Sequence, residues 1–193
     1  MIVMTKKLQK MMDELKKTNS ETYYHCVHVK SLVYKMVKLM NSEGRTNYTP
    51  KQIDAICKGA FLHDIGKLYI SNAVLTKMAS LDAEEMGHMT KHTSLGYEAV
   101  KEELSEDEDE IIKNILLFHH ERRDGSGYEK KTDLPEYVRI TAICDAFDAL
   151  HSDRVYRKRM SKEKALSLIK NGECGEFSDE MYECLEKAVE DID

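Results

Sequence analysis

Apolar residues recur along this chain every three or four positions, and apolar/polar alternation is scarce, so the pattern predicts helices throughout. Leu8, Met11, Met12 and Leu15 mark a short amphipathic helix. Val29, Leu32, Val33, Met36, Val37 and Met40 form the stripe of a longer one, with Gly44 near its end. Thr49-Pro50-Lys51-Gln52 reads as a helix start, with threonine as N-cap, proline at N1 and glutamine at N3. That helix runs through Ile53, Ile56, Cys57 and Ala60 into His63-Asp64. Asp82 to Glu85 opens another. Ser105 to Glu108 is expected to form a capping box for the next, which carries Ile111, Ile112, Ile115 and Leu116 to His119-His120. Asp124-Gly125-Ser126-Gly127 interrupts the pattern as a loop. Val138 to Leu150 is apolar and helical again, and two short helices follow Ser161 and Ser178. No internal repeat, low-complexity linker or boundary is visible. The expected fold is all-α, a compact multi-helix bundle. It reads as one domain over residues 1–193, with its core at about 20–170, an N-terminal helix within 1–19 and a C-terminal helix within 171–193.

Composition narrows the function. A chain of 193 residues can bury a sizeable core. No apolar run reaches the ~20 residues a membrane helix needs, and Met1 to Lys7 lacks a signal-peptide core. Five cysteines without a CxxC pair argue against a disulfide framework or a cysteine zinc site, and they fit a reducing cytoplasm. The net charge of −6 disfavours a duplex-binding surface. The acidic run from Glu102 to Glu110 reads as a solvated helix junction. The basic cluster Arg154, Arg157, Lys158, Arg159, Lys162 and Lys164 follows Asp145 closely and suits phosphate contacts.

The candidate chemistry lies in histidines and carboxylates. His63 and Asp64 place an imidazole and a carboxylate side by side at a helix end, and a carboxylate can bridge two ions. Glu21 and His25 share a helix face, although such a pair is by itself usually a surface pair. His92 reads as a mid-helix residue. His119-His120 closes an apolar helix, where a buried pair without partners is costly. Asp145 and Asp148 in an apolar helix need a cation, a metal or hydrogen bonds. His88 and His151 have no such surroundings and read as ordinary.

Together these residues resemble the HD superfamily of metal-dependent phosphohydrolases, in its HD-GYP branch, over roughly Glu21 to Lys170. Three stretches carry the likeness: His63-Asp64-Ile65-Gly66-Lys67, then Ile70 to Glu85; His119-His120-Glu121-Arg122 with Asp124 to Tyr128; and Arg139-Ile140, Asp145 to Leu150 and Ser152 to Arg157. The resemblance implies metal ligation by Glu21, His25, His63, Asp64, His92, His119, His120 and Asp145, with Asp64 bridging and Glu21 at the place associated with a third ion. It implies two or three divalent ions, iron or manganese foremost. Lys67, Arg154 and Arg157 match phosphate-contacting positions, Tyr128 a nucleotide-contacting one, and Asp148 an orienting one. The implied activity is hydrolysis of a phosphodiester, cyclic di-GMP to pGpG or GMP, by a hydroxide held between metals, with Asp64 and Lys67 as the catalytic pair. Alternatives are another nucleotide or phosphoester substrate, or a nucleotide-binding signalling module that has lost turnover. The glycines of Asp124 to Gly127 are expected to let backbone approach the nucleotide.

Glu129 departs from the family's proline after Gly-Tyr, the loop from Glu129 to Pro135 is shorter than usual, and His28 stands where arginine is frequent. These changes fall at the expected substrate entrance or partner surface. The stretch before Glu21 is shorter than a receiver or sensor domain. Regulation is therefore expected from a protein partner, a homodimer or expression level, in a cytoplasmic protein without a duplex or membrane partner.

Overall fold

The computed structural model describes residues 3–153 and 158–192 and contains helices and turns, with one isolated bridge between Glu173 and Gly175. The helices are α1 (Lys6–Thr18), α2 (Ser20–Ser42), α3 (Pro50–Leu62), α4 (Asn72–Leu75), α5 (Ala83–Met89), α6 (His92–Val100), α7 (Glu106–Phe118), α8 (Glu136–His151), α9 (Lys162–Lys170) and α10 (Asp179–Ala188). Short 3-10 turns occupy Ile65–Tyr69 and Lys101–Glu103. Among the described residues, no helix is long and apolar enough to cross a membrane.

The predicted helix starts follow from bonds that need only neighbouring residues. Thr49 accepts from Gln52 N while Gln52 returns a bond to the Thr49 backbone, and Asp82 and Glu85 do the same for α5. Ser161 and Ser178 cap α9 and α10. Ser105 does precede α7, but its side chain makes no cap bond. Its expected partner Glu108 is paired instead with Lys58, a buried cation on α3 whose charge has a stronger claim on the carboxylate. Ser105→Ala is therefore expected to cost less than ~0.5 kcal/mol, and Thr49→Ala about 1 kcal/mol, in urea unfolding. An equal loss in the two variants would contradict this difference.

The acidic run is also more than a solvated junction. Besides Glu108, Asp107 pairs with Lys51, Glu103 accepts from Thr5 Oγ1 at 2.6 Å, and Asp109 accepts from the Tyr97 hydroxyl at 3.1 Å. The run thus ties the start of α7 to α1, α3 and α6.

Two apolar clusters surround the polar centre. The larger joins the stripe of α2 to α3, α8, α9 and α10, through Val33, Met36, Ile56, Ile143, Phe147 and Leu185. The smaller joins Leu8, Met12 and Leu15 of α1 to Cys26, Leu62, Ile65 and Leu116. Helix α3 packs on α2 and α7, and α2 packs on α8, so the ends of α3 and α7 meet the middle of α8. The turn after Asp64 packs on α6 through two glycines. A methyl group on Gly66 would stand 1.9 Å from His92 O and 2.6 Å from Gly96 N, so only glycine lets these backbones approach.

Candidate metal centre

Helix ends deliver most of the site. His63 is the C-cap of α3 and Asp64 begins the following turn; His119 is the C-cap of α7; His25 and Asp145 come from within α2 and α8. His92 is the first residue of α6, not a mid-helix residue as the sequence suggested, because α5 ends at Met89 and the chain turns before it. His25, His63, Asp64, His92, His119 and Asp145 are all buried, and His120 is partly buried beside them.

Two sets of donor atoms converge. Asp64, His92, His119 and His120 form one, and His25, His63 and Asp145 form another, each set with its ligand atoms within 4.8 Å of one another. Asp64 adjoins both: its Oδ1 lies 3.3 Å from His92 Nε2, and its Oδ2 lies 3.5 Å from His63 Nε2 and 3.8 Å from His25 Nε2. Asp145 spans in the same way, 2.9 Å from His25 Nε2, 3.9 Å from His63 Nε2 and 3.8 Å from His120 Nδ1.

The orientation of the imidazoles decides what the cluster can hold. His63 Nδ1 donates to Ala60 O at 2.8 Å, His92 Nδ1 to Met89 O at 2.7 Å, and His119 Nδ1 to Ile115 O at 3.0 Å. A carbonyl only accepts, so each Nδ1 carries hydrogen and each Nε2 is left for the interior. His92 Nε2 and His119 Nε2 then face each other at 3.4 Å. Burial lowers the pKa of both, and it drives His120 down to about 3, so these rings are neutral at neutral pH and offer lone pairs. Two buried lone pairs at that separation repel unless a cation lies between them. His63 Nε2 and Asp64 Oδ1 are also buried without hydrogen-bond partners. Without a cation, burial opposes ionisation of His63, but the Asp64 charge outweighs it and holds the His63 pKa well above the usual histidine range, so an ion bound there would replace a proton on Nε2. Burial likewise works against the Asp64 carboxylate, yet Lys67 and His63 hold it well below the usual carboxylate range; Asp145 is held low in the same way by contact with His25 and by the nearby His120 and His63. Anionic oxygens and inward nitrogens in one dry space fit divalent cations.

Supporting contacts fix the rings. Asp148 Oδ2 accepts from His25 Nδ1 at 2.6 Å, which turns Nε2 inward, while its Oδ1 accepts from Ser152 Oγ at 3.0 Å and lies 3.3 Å from His28 Nδ1. His28 thus supplies, beside Asp148, a donor at the position where arginine was expected. Lys67 Nζ donates to Asp64 Oδ2 at 2.6 Å, so this expected phosphate contact is also the nearest ammonium to the centre. Tyr128 packs on His120 at a tilt of 39°, with ring centroids 4.6 Å apart, and stands edge-on to His92. Lys67, His92, His120, Tyr128 and Asp145 line a cleft of about 400 Å³ that opens above the centre. Glu21 lies one turn before His25 on α2 and belongs to neither donor set; it lines a neighbouring cavity of about 830 Å³ with Tyr24, His28 and Asp148. Arg154 and Arg157 lie outside the described residues.

Two residues went unassigned in the sequence. Cys26, given no role in the sequence, stands within reach of His63 and Asp64 in a third donor group. Glu121, directly after the double histidine, is buried, and its two carboxylate oxygens accept from Glu129 N and Lys131 N. Its position at a helix end before a glycine loop was the available signal. Gly127 is tight against Glu121, where a methyl group would stand 2.5 Å from its Cα, so glycine is needed here for the Glu121 contact.

An all-helical bundle whose helix ends focus buried histidines and aspartates on one point defines the class of His/Asp metal-site proteins. A sequence model of the HD domain family matches residues 22–150, and the chain belongs to that family. It is 39% identical over 137 residues to a probable cyclic di-GMP phosphodiesterase of Vibrio cholerae, covering 67% of this chain and 31% of that protein. It is also 39% identical over 119 residues to the 3'3'-cGAMP-specific phosphodiesterase 2 of the same organism, covering 58% of this chain and 22% of that protein. The chain thus spans about a third or less of these relatives. The fold matches that of Bd1817, an HDG"Y"P protein from Bdellovibrio bacteriovorus, with a TM-score of 0.68 and 20% identity over 92% of this chain and 55% of that one.

Proposed function

We propose that this chain hydrolyses the phosphodiester of a cyclic dinucleotide, with cyclic di-GMP as the leading substrate and two divalent ions, iron or manganese, as cofactors. The facing pair of buried nitrogens on His92 and His119 carries this reading, because a cation between them would satisfy both lone pairs. Asp64, His92, His119 and His120 would hold one ion, and His25, His63 and Asp145 the other, with Asp64 shared. Glu21 is the donor available for a third. Such ions supply an acidified water and positive charge at the phosphoryl oxygens.

The chain's own residues do the remaining work. Backbone carbonyls and Asp148 lock the imidazoles in their inward tautomers before any ligand arrives. Lys67 lies in the cleft wall, where its ammonium can turn from Asp64 to a phosphoryl oxygen. The Tyr128 ring offers a flat surface to a base or ribose at the cleft mouth. Arg154 and Arg157 are assigned to phosphate contacts from the family pattern. The names of these relatives support a cyclic dinucleotide, and the one specific for 3'3'-cGAMP makes that molecule the second substrate to test.

The experiment is a panel of cyclic di-GMP, 3'3'-cGAMP and cyclic di-AMP offered to iron- or manganese-loaded protein, with linear and mononucleotide products separated by chromatography. Turnover of cyclic di-GMP in preference to the others is expected. Metal-replete protein that leaves all three intact, or binds them without cleavage, would sink the reading.

Asp148→Asn is expected to weaken metal binding ~10–100-fold, because it disturbs the bond that orients His25. A competitive chelator titration reads this directly, and an unchanged affinity would remove Asp148 from the support of the centre.

A further inference from the structure

The loop after the double histidine carries this chain's departures from the family pattern, and the structure shows what holds it. Glu121 Oε1 accepts from Glu129 N at 2.8 Å, and Oε2 accepts from Lys131 N at 2.7 Å. Glu121 is 3% exposed, so this carboxylate satisfies both oxygens on backbone. Gly127 closes the other side against Glu121. Lys130, between the two donors, is the one described non-glycine residue at positive φ, at 55°, a conformation that the flanking bonds maintain. Within this ring of contacts stands Tyr128, whose ring lies against His120 at a 39° tilt and edge-on to His92. A proline at 129 has no N–H, so the bond from residue 129 exists because glutamate is there.

We propose that Glu121 is a positioning residue that clamps the 127–131 loop and so fixes Tyr128 as a rigid wall of the nucleotide cleft, and that Glu129 contributes through its backbone N–H. The clamp sets how tightly a cyclic dinucleotide is held, not how fast it is cut. Neither Glu121 nor Glu129 is a member of the donor sets that converge on the centre. The inference about affinity rests on the cyclic-dinucleotide reading; the inference about the clamp does not.

Two measurements separate them. Amide exchange of Glu129 and Lys131 needs no substrate. Both amides are expected to be protected in the unaltered chain, and at least about tenfold faster to exchange in Glu121→Gln, which can accept only one of the two bonds. Unprotected amides in the unaltered chain would overturn the clamp, whatever the substrate proves to be. In steady-state hydrolysis of cyclic di-GMP, Glu121→Gln is expected to raise KM roughly tenfold, with kcat within about threefold and metal content unchanged. In a Tyr128→Ala background the same substitution should have no further effect on KM. Glu129→Pro removes a single donor and is expected to move exchange and KM in the same direction by less; it decides the matter if Glu121→Gln does not fold. A lower melting temperature with unchanged KM, loss of metal, or an effect on KM that persists without Tyr128 would each overturn the positioning role. A chain that hydrolyses no cyclic dinucleotide fails the functional reading while the exchange result still decides the clamp.

Discussion

Asp64→Ala is expected to lower kcat for the proposed hydrolysis by at least about 10³-fold, on the order of 4 kcal/mol of barrier, and to leave the protein with at least one ion fewer. The reason is geometric. Asp64 is the carboxylate within 4 Å of His25, His63, His92 and Lys67 together, at 3.8, 3.5, 3.3 and 2.6 Å. Its removal takes the shared oxygens from both donor sets and frees Lys67 from its anchor. Asp145 would remain as the one carboxylate among the converging imidazoles. Elemental analysis of the purified variant and single-turnover kinetics give the two readings separately. A full complement of metal in Asp64→Ala would exclude Asp64 from the centre, and an undiminished kcat would exclude the proposed mechanism.

Gly66→Ala is expected to be the most damaging small substitution, costing about 3 kcal/mol or more and lowering the melting temperature by roughly 6–12 °C. The new methyl group would stand 1.9 Å from His92 O, and that contact is with backbone, which cannot rotate away. Helix α6 must move as a body, and His92, its first residue, would withdraw from Asp64 and His119. Stability and metal affinity should therefore fall together. Gly96→Ala is the control on the same contact: its methyl group would lie 3.2 Å from Gly66 N, a separation that a small shift relieves. Scanning calorimetry with metal titration tests both, and a Gly66→Ala protein that melts like the unaltered chain refutes the account.

The wrong expectations share a cause. Ser105 followed by Glu108 has the spacing of a capping box, yet Glu108 serves Lys58, fifty positions away in the chain. The acidic run is largely exposed, yet its ties to Lys51, Lys58 and Tyr97 on other helices and to Thr5 at the cap of α1 had no local sign. His92 looked mid-helical because nothing local marks the turn between α5 and α6.

What the sequence by itself determined is what short range governs. Periodicity set the helices, and caps at Thr49, Asp82, Ser161 and Ser178 set their starts, because a cap bond spans only a few residues. The candidate donor residues could be named as well, through the family resemblance that His63-Asp64, His119-His120 and Asp145 carry. The tertiary structure alone decided which donors meet. It placed His92 against His119, brought Asp64 between the two sets, and kept Glu21 outside both. It also gave Glu121 its clamp and Gly66 its constraint. Those outcomes depend on how helices far apart in the chain cross, and the direction in which each ring nitrogen points follows from the backbone carbonyl it finds there.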